Sequence, residues 1–183
     1  MSQWKILKSK TLLQSGFFRL REDQCELPDG RVMPRYYVME FSDWVNVVAI
    51  THDLQMIMIH QHRHGADGDF LEIPGGAASP GEDPREAGRR ELREETGFEA
   101  GEWIDCGDLY PNPALQSNRM HVYLALGCRK VTEPELDPFE DLKAEVMPIA
   151  RAYGILDEGG IQHSLIAASM GLAKKELRKK GIA

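Results

Sequence analysis

Gly76-Ala77-Ala78-Ser79-Pro80-Gly81-Glu82-Asp83-Pro84-Arg85-Glu86-Ala87-Gly88-Arg89-Arg90-Glu91-Leu92-Arg93-Glu94-Glu95-Thr96-Gly97-Phe98 is the stretch that decides the fold. Glu91, Glu94 and Glu95 crowd into little more than one helical turn and project from one face. Like charges at this spacing repel, and a hard divalent cation reverses the penalty, because carboxylate clusters are what Mg²⁺, Mn²⁺ and Ca²⁺ bind. The flanking residues predict a true helix. Asp83 is a good N-cap, Pro84 suits the first helical position, and Glu86 stands where a capping box needs an acid. Gly97 ends the helix at a left-handed C′ position. Ala87 and Gly88 let another backbone or a ligand come close. Upstream, Ile73-Pro74-Gly75-Gly76 closes an apolar strand and Ser79-Pro80-Gly81 is turn chemistry. The unit is strand, glycine-rich loop, carboxylate helix. The bland alternative is a solvated acidic helix paired with Arg90 and Arg93.

Outward from this unit the pattern is strands first, then strands and helices interleaved. Residues 17–26 and 31–41 flank Leu27-Pro28-Asp29-Gly30 as an antiparallel hairpin. Residues 44–51 and 55–61 flank His52-Asp53-Leu54 as a second pairing. Strands are expected at 70–73, 102–110, 120–126 and 145–149. Residues 162–179 read as a helix with Leu165, Ala168 and Leu172 on one apolar stripe. This order predicts an α/β fold, a mixed β-sheet between helices as an α/β/α sandwich, with an N-terminal antiparallel strand region.

Composition bounds the rest. The 183 residues suit a single domain, with 42% hydrophobic and 28% charged residues. We divide it at residues 1–41, the N-terminal strands, and 42–183, the catalytic core. No apolar run reaches the length of a membrane span, and the N-terminus lacks the apolar core of a signal peptide. Three dispersed cysteines, Cys25, Cys106 and Cys128, point to a reducing compartment, the cytoplasm, without disulfides or a zinc finger. A net charge of −7 speaks against nucleic-acid binding. His60, His62 and His64 alternate along a strand and share a face, but lack the usual zinc spacing.

The stretch from Gly76 to Phe98 resembles the complete signature of the Nudix hydrolases. Leu27-Pro28-Asp29-Gly30, Gln61-His62-Arg63-His64 and Leu71-Glu72-Ile73-Pro74-Gly75-Gly76 are similar to segments of the family's ADP-ribose and nucleoside diphosphate sugar pyrophosphatase branch. In the second of these His62 replaces Tyr, and in the third Gly75 replaces Ala. Pro113 stands where that branch carries a proline. The resemblance implies a Nudix-type sandwich and hydrolysis of a small nucleoside diphosphate sugar with Mg²⁺, or Mn²⁺, as two or three ions. It implies Glu91 and Glu95 as metal ligands, with Glu94 a ligand or a supporting partner. The carbonyl of Gly75, or of Gly76, completes the set. The catalytic group is Glu140, Glu94 and Arg90, with Arg90 and Glu82 acting chiefly to fasten loop to helix. Glu140 is chosen as the base from an acidic loop in which Glu135, and Glu145 just beyond, are the alternatives. Arg63, Trp44, Trp4 and Arg119 are the expected substrate contacts, Arg63 for phosphate and the tryptophans as stacking platforms. The branch also implies a homodimer with exchanged N-terminal strands, residues 1–41 forming the interface. A nucleoside triphosphate pyrophosphatase and a non-catalytic ligand sensor are the other functions this pattern allows.

Overall fold

A computed structural model describes residues 3–182. Met1 and Ser2, where the expected interface segment begins, lie outside them. The chain forms two compact units: residues 1–43 with 110–119, and residues 44–109 with 120–183.

The first unit is a three-stranded antiparallel sheet of β1 (Lys5–Gln14), β2 (Phe18–Glu26) and β3 (Val32–Phe41), in that order. The β2–β3 turn is the expected hairpin. Gly30 takes φ 84° and closes it by donating its N–H to the Leu27 carbonyl at 2.9 Å. Inside the sheet, Asp23 is buried and accepts from Ser9 Oγ at 2.7 Å and Arg21 Nε at 2.9 Å. The segment 110–119 docks on β3, where Met39 N–H donates to Leu115 O and Tyr36 Oη to Ala114 O, both at 2.7 Å. β1 is exposed along its whole length.

The second unit holds β4 (Trp44–Thr51), β5 (Gln55–Arg63), a 3₁₀ turn (His64–Ala66), β6 (Gly68–Glu72), β7 (Gly75–Ala77), α1 (Pro84–Thr96), β8 (Phe98–Glu99), β9 (Glu102–Leu109), β10 (Met120–Lys130), β11 (Leu142–Pro148), α2 (Ile149–Asp157) and α3 (Ser164–Lys179). β4 runs parallel to β10 and antiparallel to β5 and β7. The sheet is therefore mixed. β4 is buried on both faces, and its alternating side chains divide the core. Val45, Val47 and Ala49 join Ala87 and Leu92 of α1, while Val48 and Ile50 join Tyr153 of α2 and Ile166, Met170 and Leu177 of α3. Helices thus cover both faces, the expected sandwich.

Three local expectations need correction. The buried stripe of α3 is Ile166, Ser169, Met170, Ala173 and Leu177, whereas Ala168 is exposed and Leu165 and Leu172 are half-buried. The last strand, expected at 145–149, runs Leu142–Pro148, and Ile149 is instead the first residue of α2, with Pro148 as its N-cap. β1 is a full strand that the expected strands, which begin at residue 17, did not include.

Cys25, Cys106 and Cys128 are all free. Burial pushes the Cys106 thiol up to about 11 and the Cys128 thiol up to about 12, so neither is a ready nucleophile at neutral pH. No helix among the described residues is long and apolar enough to cross a membrane.

Candidate active site

The carboxylate helix is built as its sequence requires. Asp83 Oδ1 caps it by accepting from the N–H groups of Arg85 at 2.9 Å and Glu86 at 3.3 Å. Gly97 ends it at φ 76°, its N–H donating to Arg93 O at 2.8 Å. The helix presses Ala87, Gly88 and Leu92 into the core and turns Glu91 and Glu95 toward the Gly75–Gly76 loop, while the more exposed Glu94 lies beside Arg90.

Glu95 is 2% exposed and its Oε2 accepts from Gly75 N–H at 2.9 Å. Burial pushes its carboxyl well above the usual carboxylate range, and the charges of Glu91 and Glu140 add to the rise. Glu91 is buried against Gly76, where a Cβ would lie 2.6 Å from its carboxyl carbon. Burial raises its carboxyl too, against the pull of Arg90.

Arg90 is fully engaged. Nε and Nη2 clasp Glu82 at 3.0 and 3.1 Å, Nη1 reaches Glu91 at 2.9 Å and Glu94 at 3.0 Å, and Nη2 also donates to Ala77 O at 3.1 Å. Glu82 in turn accepts from Ser79 N–H at 2.8 Å. The pair fastens the signature loop to the helix, and the N–H groups of the guanidinium are spent within this network.

The donor set suits a hard divalent ion: oxygen ligands only, two of them buried carboxylates whose charge a cation would relieve. Among the described residues no three acidic, His or Cys side chains converge on one point as they stand. Glu91 and Glu94 are turned to Arg90, and Glu95 to the Gly75 amide. Ion binding at these residues requires the carboxylates to swing from those partners.

The acidic loop reaches the site through Glu140. Its charge acts on Glu91, Glu95 and Arg63. Its Oε2 accepts from Asp137 N–H at 3.0 Å. The loop is tied to α1, with Glu135 N–H donating to Glu94 O at 2.8 Å and Val131 N–H to Gly97 O at 2.8 Å. Glu135 itself is exposed, and the Glu145 carboxylate is occupied by His60 Nε2 at 2.7 Å.

Beside the Gly75–Gly76 backbone lies a cavity of about 410 Å³, bordered by Trp44, Arg63, Glu72, Met120 and His163. Arg63 does not point a free fork into it. Nε and Nη2 grip the carboxylate of Glu72 at 2.8 and 2.7 Å, leaving the outer edge with Nη1 for a ligand. Glu72 is 1% exposed; burial pushes its carboxyl up, but Arg63 and His163 outweigh that and hold it at about 2.

Trp44, at the start of β4, is half-buried in this cavity wall. Trp4 and Arg119 belong to the first unit. Trp4 packs edge-on to Tyr36, with ring centroids 6.1 Å apart, and Arg119 lies 4.9 Å over the ring of Tyr110. His60 and His62 pair with Glu145 and Asp69. A second cavity of about 520 Å³ lies along α1, but its Arg89, Arg90 and Arg93 meet Glu86, Glu94 and Glu99, so its charges largely cancel.

Asn46 and His163 near the cavity carry no signature in the sequence, and Glu72 stands there only as part of the segment before Gly76, with no role of its own. Asn46 donates to Ser169 Oγ at 2.9 Å while its own Oδ1 packs against Gly75. Glu72 and His163 meet only in the fold. An acid directly before the Ile-Pro-Gly-Gly turn is the one signal that could have singled out Glu72.

Comparison with known proteins agrees with this geometry. The profile described as NUDIX domain matches residues 43–167, and that of the nucleoside diphosphate sugar hydrolase N-terminal domain matches residues 4–38. The chain belongs to the Nudix hydrolases, on the branch that carries this N-terminal domain. It is 34% identical over 169 residues to the ADP-ribose pyrophosphatase of Mycobacterium tuberculosis, covering 91% of this chain and 81% of that protein. It is 32% identical to the ADP-ribose pyrophosphatase of Bacillus subtilis over 79% of this chain and 80% of that one. A crystal structure of an ADP compounds hydrolase matches with a TM-score of 0.86 at 25% identity, covering 100% of this chain and 98% of that one.

Proposed function

We propose that this Nudix hydrolase cleaves the diphosphate of nucleoside diphosphate sugars, ADP-ribose first, with GDP-mannose and UDP-sugars next. The products are a nucleoside monophosphate and a sugar phosphate. The observation that carries the reading is the pairing of two buried acids, Glu91 and Glu95, on the Gly75–Gly76 loop with an adjoining cavity that holds Arg63 and Trp44. The two relatives named ADP-ribose pyrophosphatase support the choice of substrate.

Glu91, Glu95, Glu94 and the carbonyl of Gly75 would hold Mg²⁺, or Mn²⁺, as two or three ions. When bound, such ions neutralise phosphate charge and make water more acidic. The residues of the chain do the rest. Glu140 takes the proton of the attacking water. The outer edge of Arg63 grips a phosphate oxygen. Trp44 offers a face for the base, while Trp4 and Arg119 are candidate substrate contacts on the first unit. Arg90 and Glu82 hold the loop in register with α1. The free thiols suit a reducing compartment, and the cytoplasm is the proposed location.

A homodimer with exchanged N-terminal strands completes the reading. Ile6, Leu7, Leu12 and Leu13 of β1 are all exposed, an apolar load that a bare three-stranded sheet does not bury. Light scattering at micromolar concentration should give twice the chain mass, and a monomer there removes the dimer.

The test of the activity is turnover of ADP-ribose, GDP-mannose, UDP-glucose, ATP and dGTP with Mg²⁺, products separated by chromatography and Glu95→Gln as control. Monophosphate plus sugar phosphate from the diphosphate sugars, lost in the control, is the expected result. Pyrophosphate from the triphosphates alone would replace this reading with a triphosphate pyrophosphatase.

A further inference from the structure

His163 sits at the N-cap of α3, yet its side chain caps nothing. The favoured N-cap residues are Ser, Thr, Asp and Asn, whose oxygens accept from the first helical amides. The imidazole turns instead to the wall of the cavity beside Gly75. Its side chain keeps 32% of its surface open, whereas Nδ1 is buried and lies 3.3 Å from Oε2 of Glu72 without a hydrogen bond of good angle. Phe70 packs edge-on against the ring at 6.5 Å.

This contact sets the role of each nitrogen in the neutral ring. Glu72 is ionised and buried, with Arg63 gripping both of its oxygens. A lone pair on Nδ1 would face that negative charge, so the proton of a neutral ring belongs on Nδ1. The acceptor of the ring is then Nε2. Arg63 spends its inner edge on the same carboxylate and keeps outward donors. One carboxylate therefore orients two side chains that border one cavity: a guanidinium with N–H groups to give, and an imidazole that in its neutral form has a lone pair to give. The first suits a phosphate oxygen. The second repels one and suits a hydroxyl.

We propose that His163 is a specificity-determining contact of this enzyme, accepting through Nε2 a hydrogen bond from a sugar hydroxyl next to the diphosphate that Arg63 binds. The assignment rests on the diphosphate-sugar reading above and adds the residue that tells a sugar-bearing diphosphate from a bare one.

Binding without turnover tests it. The α,β-methylene analogues of ADP-ribose and ADP, and methylenediphosphonate, are titrated with Mg²⁺ by calorimetry into wild type, His163→Phe and His163→Asn. The Phe variant keeps the ring volume without an acceptor. The Asn variant supplies a better helix cap, so its melting temperature should equal or exceed that of wild type. Both variants should bind the ADP-ribose analogue about three- to tenfold more weakly, the loss of one hydrogen bond, and methylenediphosphonate unchanged. Loss with both nucleotide analogues assigns the hydroxyl to the nucleoside ribose, and loss with the ADP-ribose analogue alone assigns it to the terminal sugar. Either supports the contact. Equal weakening of methylenediphosphonate, full binding by the Asn variant, or no binding of any analogue by wild type overturns it. Wild-type hydrolysis of ADP-ribose is scored separately. If the analogue binds but no diphosphate sugar is hydrolysed, the proposed activity falls while the assignment of His163 is still decided by the titrations.

Discussion

The backbone N–H of Gly75 donates to Oε2 of Glu95 at 2.9 Å, which ties the strand side of the signature loop to the carboxylate helix. Gly75 has no room for a side chain, since a Cβ would lie 2.2 Å from Val45 O and 2.7 Å from Asn46 Oδ1. Gly75→Ala must therefore push the loop off β4. The expected cost is about 1–3 kcal/mol of stability, as for other overpacked sites, together with most of the turnover. Urea melts and kcat measure the two, and an active, unshifted Ala variant would contradict the packing described here.

Glu95 gives a pH-dependent signature. Burial raises its carboxyl well above the usual range, so the ion-free fold is favoured when this group is protonated. That contribution is complete below the unfolded value of about 4.3 and is lost as pH rises through the raised folded value. Glu95→Gln removes the penalty. With EDTA at pH 8 it should melt about 3 °C above wild type, and near pH 4 the two should coincide. Mg²⁺ should raise the melting temperature of wild type and not of the variant. A lower melting temperature for Glu95→Gln at pH 8 would remove this account.

The clasp of Arg63 on Glu72 runs the other way. The carboxyl is held at about 2, so its contribution is present above about 4.3 and fades as pH falls toward 2. Arg63→Met leaves a buried carboxylate with His163 alone and should cost about 3 kcal/mol at pH 7, less in acid. Glu72→Gln should cost less, because the half-buried Arg63 can turn to water. Chemical denaturation of both variants at pH 7 and pH 4 would check the order.

Glu140 and Glu145 separate by kinetics. Glu140→Gln should lose about 10²–10⁴-fold in kcat with its melting curve intact. Glu145→Gln breaks an exposed pair with His60 and should stay near wild type. The reverse order would move the base to Glu145.

Gly97 joins helix end to loop. At φ 76°, with a Cβ only 2.1 Å from Thr132 O, it admits no side chain. Gly97→Ala should destabilise by more than about 1 kcal/mol. It should also lower kcat beyond what its folded fraction explains, because Val131 and Thr132 both donate to its carbonyl and the base loop follows them.

What was legible in the sequence follows the range of the interactions. The α1 unit could be read because its determinants are local: an Asp cap, Pro at the first position, a C-terminal Gly and acids one turn apart. The β2–β3 turn was legible for the same reason. The stripe of α3 was misread because tertiary packing chose among several apolar positions and drew the polar Ser169 inward to meet Asn46. α2 was missed because it follows β11 with no intervening turn, Pro148 serving both. Around the site, Arg63 was visible as a residue but not its engagement by Glu72. Glu72 and His163 are 91 positions apart and meet only through the sheet and the cap of α3.

Glu91, Glu94 and Glu95 share one helix, whereas Trp44, Arg63 and His163 hang on β4, β5 and the cap of α3. The acids are spaced by the pitch of a single rigid rod, and nothing on the opposite wall sets that spacing. Replacements at Trp44 or His163 can therefore reshape the chamber for a different guest while the rod keeps its ruler. A lineage, or a designer, could retune what enters this fold without reopening how its carboxylates are arrayed.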